Sequence, residues 1–304
     1  MKVAIIGAGK VGSVLGRVLV ENGHTITCVV SRTLASARRA GRFLRCRNIS
    51  TSLDVLPRDT DIVFITTPHG AVEGVARELS GLRTIDFTRV SFCHASGMLS
   101  ALALDPLRRR GSRVFSFHPL QTFPRSFEPR RIVPTARRIY YGVDGSRRAL
   151  LIARRLARAL DGKILEIRPS MRPYYHAACV VASNHLTAVL SILEIMFRTL
   201  HTRESAFFPV FKPIIMATLG NIEGTSPAQA LSGPVARGGV NTVAEHFATI
   251  QRHTPRLLPY FMQLTLDTIA LATAKRTLTA GKARALRAVV RSYERPIVNR
   301  KENR

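Results

Sequence analysis

The 304-residue chain predicts an α/β half built on a doubly wound, mostly parallel sheet, followed by an all-α half. Three observations carry that prediction. Residues 3–12 read Val-Ala-Ile-Ile-Gly-Ala-Gly-Lys-Val-Gly, an apolar strand running straight into Gly-x-Gly-x-x-Gly. Strand and helix patterns then alternate to about residue 168, as they do where helices cover a parallel sheet. Beyond about residue 170 the strand signals stop and long helical runs take over, with Pro169 and Pro173 bracketing the change.

The elements follow in order. Val3 to Ile6 is an unbroken strand signal, and Val11, Val14, Leu15, Val18 and Leu19 recur at helical spacing. Further strands are predicted at 25–30, 61–66, either 84–87 or 90–94, 113–117, 138–143 and 163–167. Helices are predicted between them at 11–22, 33–44, 70–80, 98–110 and 145–161. The second half reads as helices at 172–201, 204–220, 226–231, 239–252, 254–274 and 279–292. This gives a dinucleotide-binding domain over 1–168, a helical domain over 169–295 for substrate and dimerisation, and a polar tail at 296–304 expected to be disordered.

The bulk properties bound the function. Four scattered cysteines, Cys28, Cys46, Cys93 and Cys179, show no metal-ligand spacing and suit reduced thiols in a cytoplasm; no metal is expected. The chain opens directly on its first strand, so no secretory signal is expected. The longest apolar stretch, 177–197, carries Asn184, His185, Thr187 and Glu194. These are costly in lipid, so a buried core helix is expected rather than a membrane span. The formal net charge is +27, nearly all from arginine. The basic residues are dispersed and no aromatic residues alternate with them as stacking platforms. Nucleic acid is therefore not the expected partner, and arginine-rich solvated faces account for the charge.

The opening motif has a physical reading. Gly7 allows the tight turn, Gly9 lets backbone approach a pyrophosphate, and Gly12 lets the helix pack on the strand. A pyrophosphate would rest on the amides of Ala8, Lys10 and Val11 at the helix start. At the end of the second strand, where an acidic residue would accept from the ribose of NAD, the chain reads Val29-Val30-Ser31-Arg32-Thr33. Ser31 and Arg32 offer a donor and a cation to a 2′-phosphate, so the expected cofactor is NADP(H). Thr66, Thr67 and Pro68 end another strand and would line the cofactor channel.

Three further segments stand out. Ser96 and Gly97 follow a strand, where Ser96 either caps a helix or joins exposed amides that hold a substrate anion. His118 and Gln121 lie in a proline-stiffened loop at another strand end, a substrate-site candidate. His176, Ser183 and Thr187 share one face of the first long helix, with Asn184 nearby. Such polar groups either satisfy each other or face a cleft.

Taken with Tyr-His-Ala-Ala at 175–178 and Leu-Ser-Gly-Pro-Val-Ala-Arg-Gly at 231–238, these motifs resemble one family over roughly residues 2–290. It is the Rossmann-like family that carries domain of unknown function 2520 at its C-terminus. That family is similar to pyrroline-5-carboxylate reductase, ketopantoate reductase and the β-hydroxyacid dehydrogenases. The resemblance implies a Rossmann domain, an all-helical domain and homodimers formed through the helices. The related dehydrogenases place a lysine and an asparagine on the first long helix; the matching place here holds His176 and Asn184. His176 would then supply a proton, Asn184 would hydrogen-bond the substrate oxygen, and Arg237 would pair with a substrate carboxylate. The chain departs from related sequences at Arg237-Gly238-Gly239, where they tend to read Arg-Gly-Asp. The expected function is an NADP(H)-dependent oxidoreductase that reduces a C=O or C=N bond of a small carboxylate-bearing molecule. The alternative is a dinucleotide-binding sensor or partner protein without turnover.

Overall fold

The computed structural model describes residues 1–294, so the tail expected at 296–304 lies outside the described residues. The chain divides into two compact units, one from Met1 to Asn184 and one from His185 onward. The first unit opens with β1 (Lys2–Ile6), α1 (Lys10–Glu21), β2 (Thr25–Val30), α2 (Leu34–Leu44) and β3 (Ile49–Ser50). It continues through β4 (Ile62–Ile65), α3 (Val72–Ser80), β5 (Ser91–His94), α4 (Asp105–Arg109) and β6 (Arg113–Pro119). It closes with α5 (Pro129–Ile132), β7 (Tyr140–Gly145), α6 (Arg147–Ala159), β8 (Lys163–Glu166) and α7 (Arg172–Val180).

The eight strands lie in the order β3-β2-β1-β4-β5-β6-β7-β8. Winding therefore proceeds outward in both directions from β1 and β4, which makes their carboxyl ends the crevice where such sheets bind ligands. The strands from β3 to β6 are parallel; β7 runs antiparallel to β6, and β8 is parallel to β7. Alternation along β1 feeds two cores. Val3 and Ile5 join the layer under α1 and α6, and Ala4 and Ile6 join the layer under α3.

Local chemistry explains where the elements depart from the periodic reading. Of the two strand alternatives, 90–94 holds the strand, while Phe87 enters the core from a loop. The helix expected over 98–110 is broken in two. Ser100 caps a 3₁₀ turn at Ala101–Leu104, accepting from the Leu102 amide at 3.4 Å, and α4 follows with Pro106 in its first turn. The two-residue β3, α5 and a 3₁₀ turn at Val133–Ala136 are too short to carry a periodic signal.

The unit boundary falls after α7, whereas composition placed it at Pro169. The reason is a buried arginine. Arg172, 1% exposed, donates through Nε to Asp144 Oδ2 at 2.5 Å and through Nη2 to the Gly142 carbonyl at 3.2 Å, both on β7. Tyr175, one turn on, is buried beside it. A π-turn (Val181–His185) then leads into α8 (Leu186–Thr199).

The expectation of a buried core helix over 177–197 is overturned. Within the helical run Pro169–Thr199 only 6% of the most apolar window is buried. Tyr175 turns inward, whereas Val181, Leu186 and Val189 face solvent. Apolar composition on all sides exceeds what one docked face can cover. Two helical runs, Pro169–Thr199 and Pro255–Ala274, are long and apolar enough by length and composition to cross a membrane.

The second unit contains α8, α9 (Phe207–Gly224), α10 (Pro227–Ala230), α11 (Pro234–Arg237), α12 (Val240–His253), α13 (Leu258–Ala274) and α14 (Ala280–Arg291). Its core is built from Val243, Phe247 and Ile250 of α12, Ile269 and Ala272 of α13, and Leu286 and Val290 of α14. No residue of α9 is buried.

Candidate functional site

The glycine loop is shaped by contacts that only glycine permits. Gly7 has φ +106°, and a β-carbon there would stand 2.7 Å from the Thr66 carbonyl carbon and the Thr67 nitrogen. A β-carbon on Gly12 would strike the Thr66 hydroxyl and stand 2.5 Å from the Gly7 carbonyl oxygen. Gly9 is the opposite case, because nothing lies within 4 Å of its β-carbon position. Open space at the middle glycine is what a pyrophosphate needs for close approach.

Gly9 is the N-cap of α1, with no side-chain cap and no acidic residue in the first turn. The first-turn amides of Lys10 and Val11 are thus available to an anion. Thr66 has a structural task, since its hydroxyl donates to the Gly7 carbonyl at 2.7 Å and ties β4 to the loop. The neighbouring Thr67 hydroxyl is buried without a hydrogen-bond partner, a group a bound dinucleotide would satisfy. Pro68, exposed, starts the next turn. These residues fit a nicotinamide dinucleotide.

A groove of about 660 Å³ opens beside Ala8, Gly9 and Lys10, walled by Arg39, Phe43, Arg125 and Arg130. Sequence reading missed these three arginines, because nothing sets them apart in an arginine-rich chain. At the end of β2, Ser31 is half-buried and Arg32 exposed. The Thr33 hydroxyl accepts from the Ser36 amide at 3.2 Å and caps α2. No carboxylate stands in this stretch, so nothing there would repel a 2′-phosphate.

A second cluster forms at the carboxyl ends of β5 and β6. β5 lies two strands from β1, about 10 Å away at the usual strand spacing. His118, Gly97 and His176 meet here. The two histidine rings have centroids 6.2 Å apart. A β-carbon on Gly97 would stand 2.7 Å from His176 Cδ2 and 2.9 Å from His118 Nε2. Gly97 therefore owes its identity to the two rings that close over it.

The groups beneath the cluster set its electrostatics. His94 is fully buried. Its Nδ1 accepts from the Ser96 amide at 3.2 Å, so its proton sits on Nε2 and is donated to the Ser100 carbonyl at 3.0 Å. Burial lowers its pKa to about 4, the nearby Arg172 cation adding to the effect. Burial likewise lowers His118 to about 4, helped by Arg172, His176 and His94. Both rings are neutral at pH 7. His118 Nδ1 meets the Tyr175 hydroxyl at 2.8 Å. Asp144 gathers the base of the site, accepting from the Ala101 amide at 2.6 Å, the Ser116 hydroxyl at 2.5 Å and Arg172. His94, Asp144, Arg172 and Tyr175 were not among the sequence candidates. His94, in the segment that holds Ser96 and Gly97, and Tyr175, adjacent to His176, carried some signal; Asp144 and Arg172 carried none.

Other candidates are used locally. Ser96 spends its amide on His94, and its hydroxyl accepts from the Leu99 amide at 3.2 Å. Gln121 donates to the Thr135 carbonyl and accepts from the Thr122 amide at 2.7 Å, which ties its own loop. Asn184 is exposed at the end of the first unit, its Oδ1 accepting from Ser183 at 2.9 Å, and no hydrogen bond joins it to His118 or His176. The π-turn contains it, which shifts the helical register on which its grouping with His176 relied. Arg237 belongs to the second unit, exposed at the end of α11 before the left-handed Gly238. Among the described residues no group of three or more His, Cys, Asp or Glu could hold a metal ion.

A glycine-looped parallel sheet extended by helices defines a Rossmann-type, dinucleotide-binding architecture. Family models match a Rossmann-like domain over residues 1–119 and the domain of unknown function DUF2520 over residues 139–268. The chain therefore carries a Rossmann-like domain followed by DUF2520. Solved structures share the fold. Protein TM1727 from Thermotoga maritima is 21% identical, with TM-score 0.69 over 89% of this chain and 99% of that one. A pyrroline-5-carboxylate reductase from Coxiella burnetii is 13% identical, with TM-score 0.60 over 91% and 98%. A reductive aminase from Aspergillus terreus, in complex with NADPH and ethyl-5-oxohexanoate, is 15% identical, with TM-score 0.57 over 96% and 92%. No curated protein matches the chain by sequence.

Proposed function

We propose that the protein is an NADP(H)-dependent oxidoreductase that reduces a C=O or C=N bond of a small carboxylate-bearing substrate. The observation that carries this reading is the convergence of Gly97, His118 and His176 on the sheet edge that also holds the glycine loop. When bound, the reduced nicotinamide would supply the hydride. The chain would supply the rest. His176, half-buried at the cluster, would give the proton that must follow. His118, neutral at pH 7, would offer a hydrogen bond to the substrate oxygen or nitrogen. Arg237 and Asn184 enter as substrate contacts by family resemblance. The reductase and aminase among the structural relatives support a carbonyl or imine substrate.

Oxidation of NADPH is the direct test, followed at neutral pH against a panel of small keto and imino acids. Turnover with one of them, lost in His176→Ala while NADPH still binds, is the expected result. Unchanged turnover in that variant would remove the acid role of His176. NADPH binding without oxidation across the panel would favour the non-catalytic sensor reading, which the missing lysine of the related dehydrogenases supports. The choice of NADP(H) rests on Ser31 and Arg32. Arg32→Ala should weaken NADPH about tenfold or more, the worth of one charge-assisted contact, and leave NADH unchanged; equal losses would refute it.

The same reading takes the protein as cytoplasmic and homodimeric, with neither membrane nor nucleic acid as partner. The support is α9, apolar and without a buried residue, whose Phe208, Ile214, Met216 and Leu219 are exposed. A second copy covering this face is expected to give a dimer in sedimentation analysis. A monomer, or flotation with liposomes, would overturn that assignment.

A further inference from the structure

We infer that Tyr175 is a positioning residue that fixes the proton of His118 on Nε2 and aims it into the site beside Gly97. The inference rests on the proposed reading of the histidine cluster as the place where the substrate's acceptor atom sits.

The geometry starts at β7. Gly142 pairs with His118 across the antiparallel β6–β7 register. A β-carbon at Gly142 would overlap the Tyr175 hydroxyl. The missing side chain thus admits the phenol to a place directly against the sheet, next to His118. There the hydroxyl lies 2.8 Å from His118 Nδ1, with the two rings edge to face at 88°. Tyr175 is brought there from its own helix. Arg172, three residues earlier and on the same face, is locked to Asp144 and the Gly142 carbonyl, and its guanidinium lies 5.5 Å from the centre of the Tyr175 ring. Asp144 is held in turn by Ser116 and the Ala101 amide.

Proton bookkeeping follows from that arrangement. The phenol has one proton and burial keeps it in place, raising the Tyr175 pKa. The hydroxyl meets His118 Nδ1 at 2.8 Å and also lies near Cys179; a cysteine sulfur is a weak acceptor, so the proton goes to the imidazole nitrogen. A neutral imidazole that accepts at Nδ1 carries its own proton on Nε2. Nε2 is the atom that faces Gly97, 2.9 Å from that residue's β-carbon position. The charged and titratable groups around the ring are His94, His176 and Arg172, all of which favour the neutral form. The result is a fixed N–H donor that admits a ligand atom with a free lone pair, such as a carbonyl, imine or carboxylate, and disfavours a protonated amine.

Nitrogen NMR of the full chain labelled with ¹⁵N-histidine at neutral pH tests this directly, with His118→Gln used to assign the signals. In the wild type the expected result is a protonated Nε2 and an unprotonated, hydrogen-bonded Nδ1. In Tyr175→Phe the Nδ1 resonance should move as its hydrogen bond is lost, with the second tautomer populated, while His94 keeps its signals. A wild-type ring protonated at Nδ1 overturns the inference without any variant, so a misfolded Tyr175→Phe leaves it decidable. A Tyr175→Phe spectrum superimposable on wild type also overturns it. Absence of turnover with every keto or imino acid would defeat the proposed function and leave the tautomer result standing. An unmoved tautomer would leave the oxidoreductase reading intact.

Discussion

Gly9→Ala and Gly12→Ala, two substitutions in one loop, should separate cofactor binding from folding. Gly9 has φ −80° and ψ −172°, a conformation open to alanine, and nothing lies within 4 Å of the new methyl. Alanine is a poorer N-cap than glycine by several tenths of a kcal/mol, and the stiffer unfolded chain returns about 0.4–1 kcal/mol. Stability should therefore stay within about 1 kcal/mol of wild type. The methyl occupies the approach to the helix amides, so one charge-assisted hydrogen bond of about 1.5–3 kcal/mol is lost. Affinity for NADPH should fall about ten- to a hundredfold. Gly12→Ala drives its methyl into the Thr66 hydroxyl and to 2.5 Å from the Gly7 carbonyl oxygen. Overpacking costs about 1–3 kcal/mol, and the Thr66–Gly7 bond adds about 1 kcal/mol. This variant should lose both stability and binding. Urea unfolding measures the first, and the emission of NADPH itself reports the second, since the chain has no tryptophan. Unchanged NADPH affinity in a folded Gly9→Ala would refute the placement of the pyrophosphate.

Two further outcomes follow from the buried groups. His94 has a folded pKa of about 4 against about 6.5 unfolded, so the unfolded chain binds more protons between those values and stability must fall as pH drops through that window. The loss is about 3 kcal/mol on completion, and urea unfolding at several pH values should show a shallower slope in His94→Gln; an unchanged slope would assign the acid sensitivity elsewhere. Asp144→Ala strands the Arg172 charge, which is 1% exposed, and should cost about 3–5 kcal/mol. Replacing both partners with apolar residues should cost less than that single change, and an Asp144→Ala loss below about 1 kcal/mol would show that the pair behaves like a surface ion pair.

Long periodic patterns made most of the fold legible. β1 and α1 appear within about a residue of where Val3 to Leu19 place them, because strand, turn and helix there each impose a different spacing. The glycine loop was legible for the same reason, since glycines at those three offsets between a strand and a helix impose a tight turn with close packing at Gly7 and Gly12 and open space at Gly9. The histidine end was only half legible. His118 and His176 stand out as polar groups beside strand and helix ends, but their meeting depends on Gly97, which the sequence offers as a contact for a substrate anion and not as the place where two rings close. Ser96 and Gln121 carried the same surface signals and are tied into their own loops. The burial of the apolar stretch 177–197 was misjudged, because composition reports how apolar a helix is and not what lies against it.

The displaced boundary and the missed site residues have one cause. Composition changes at Pro169, where strands stop, yet a compact unit is defined by what its side chains pack against. Arg172 is the residue least expected in a core, and it carries α7 into the first unit by pairing with Asp144. Once there, α7 delivers Tyr175 and His176 to a sheet that already holds His94, Gly97 and His118. The glycine loop and both histidines therefore belong to one compact unit. Their mutual geometry is set by the sheet, by a helix anchored through a buried ion pair, and by two glycines, Gly97 and Gly142, that leave room for the rings.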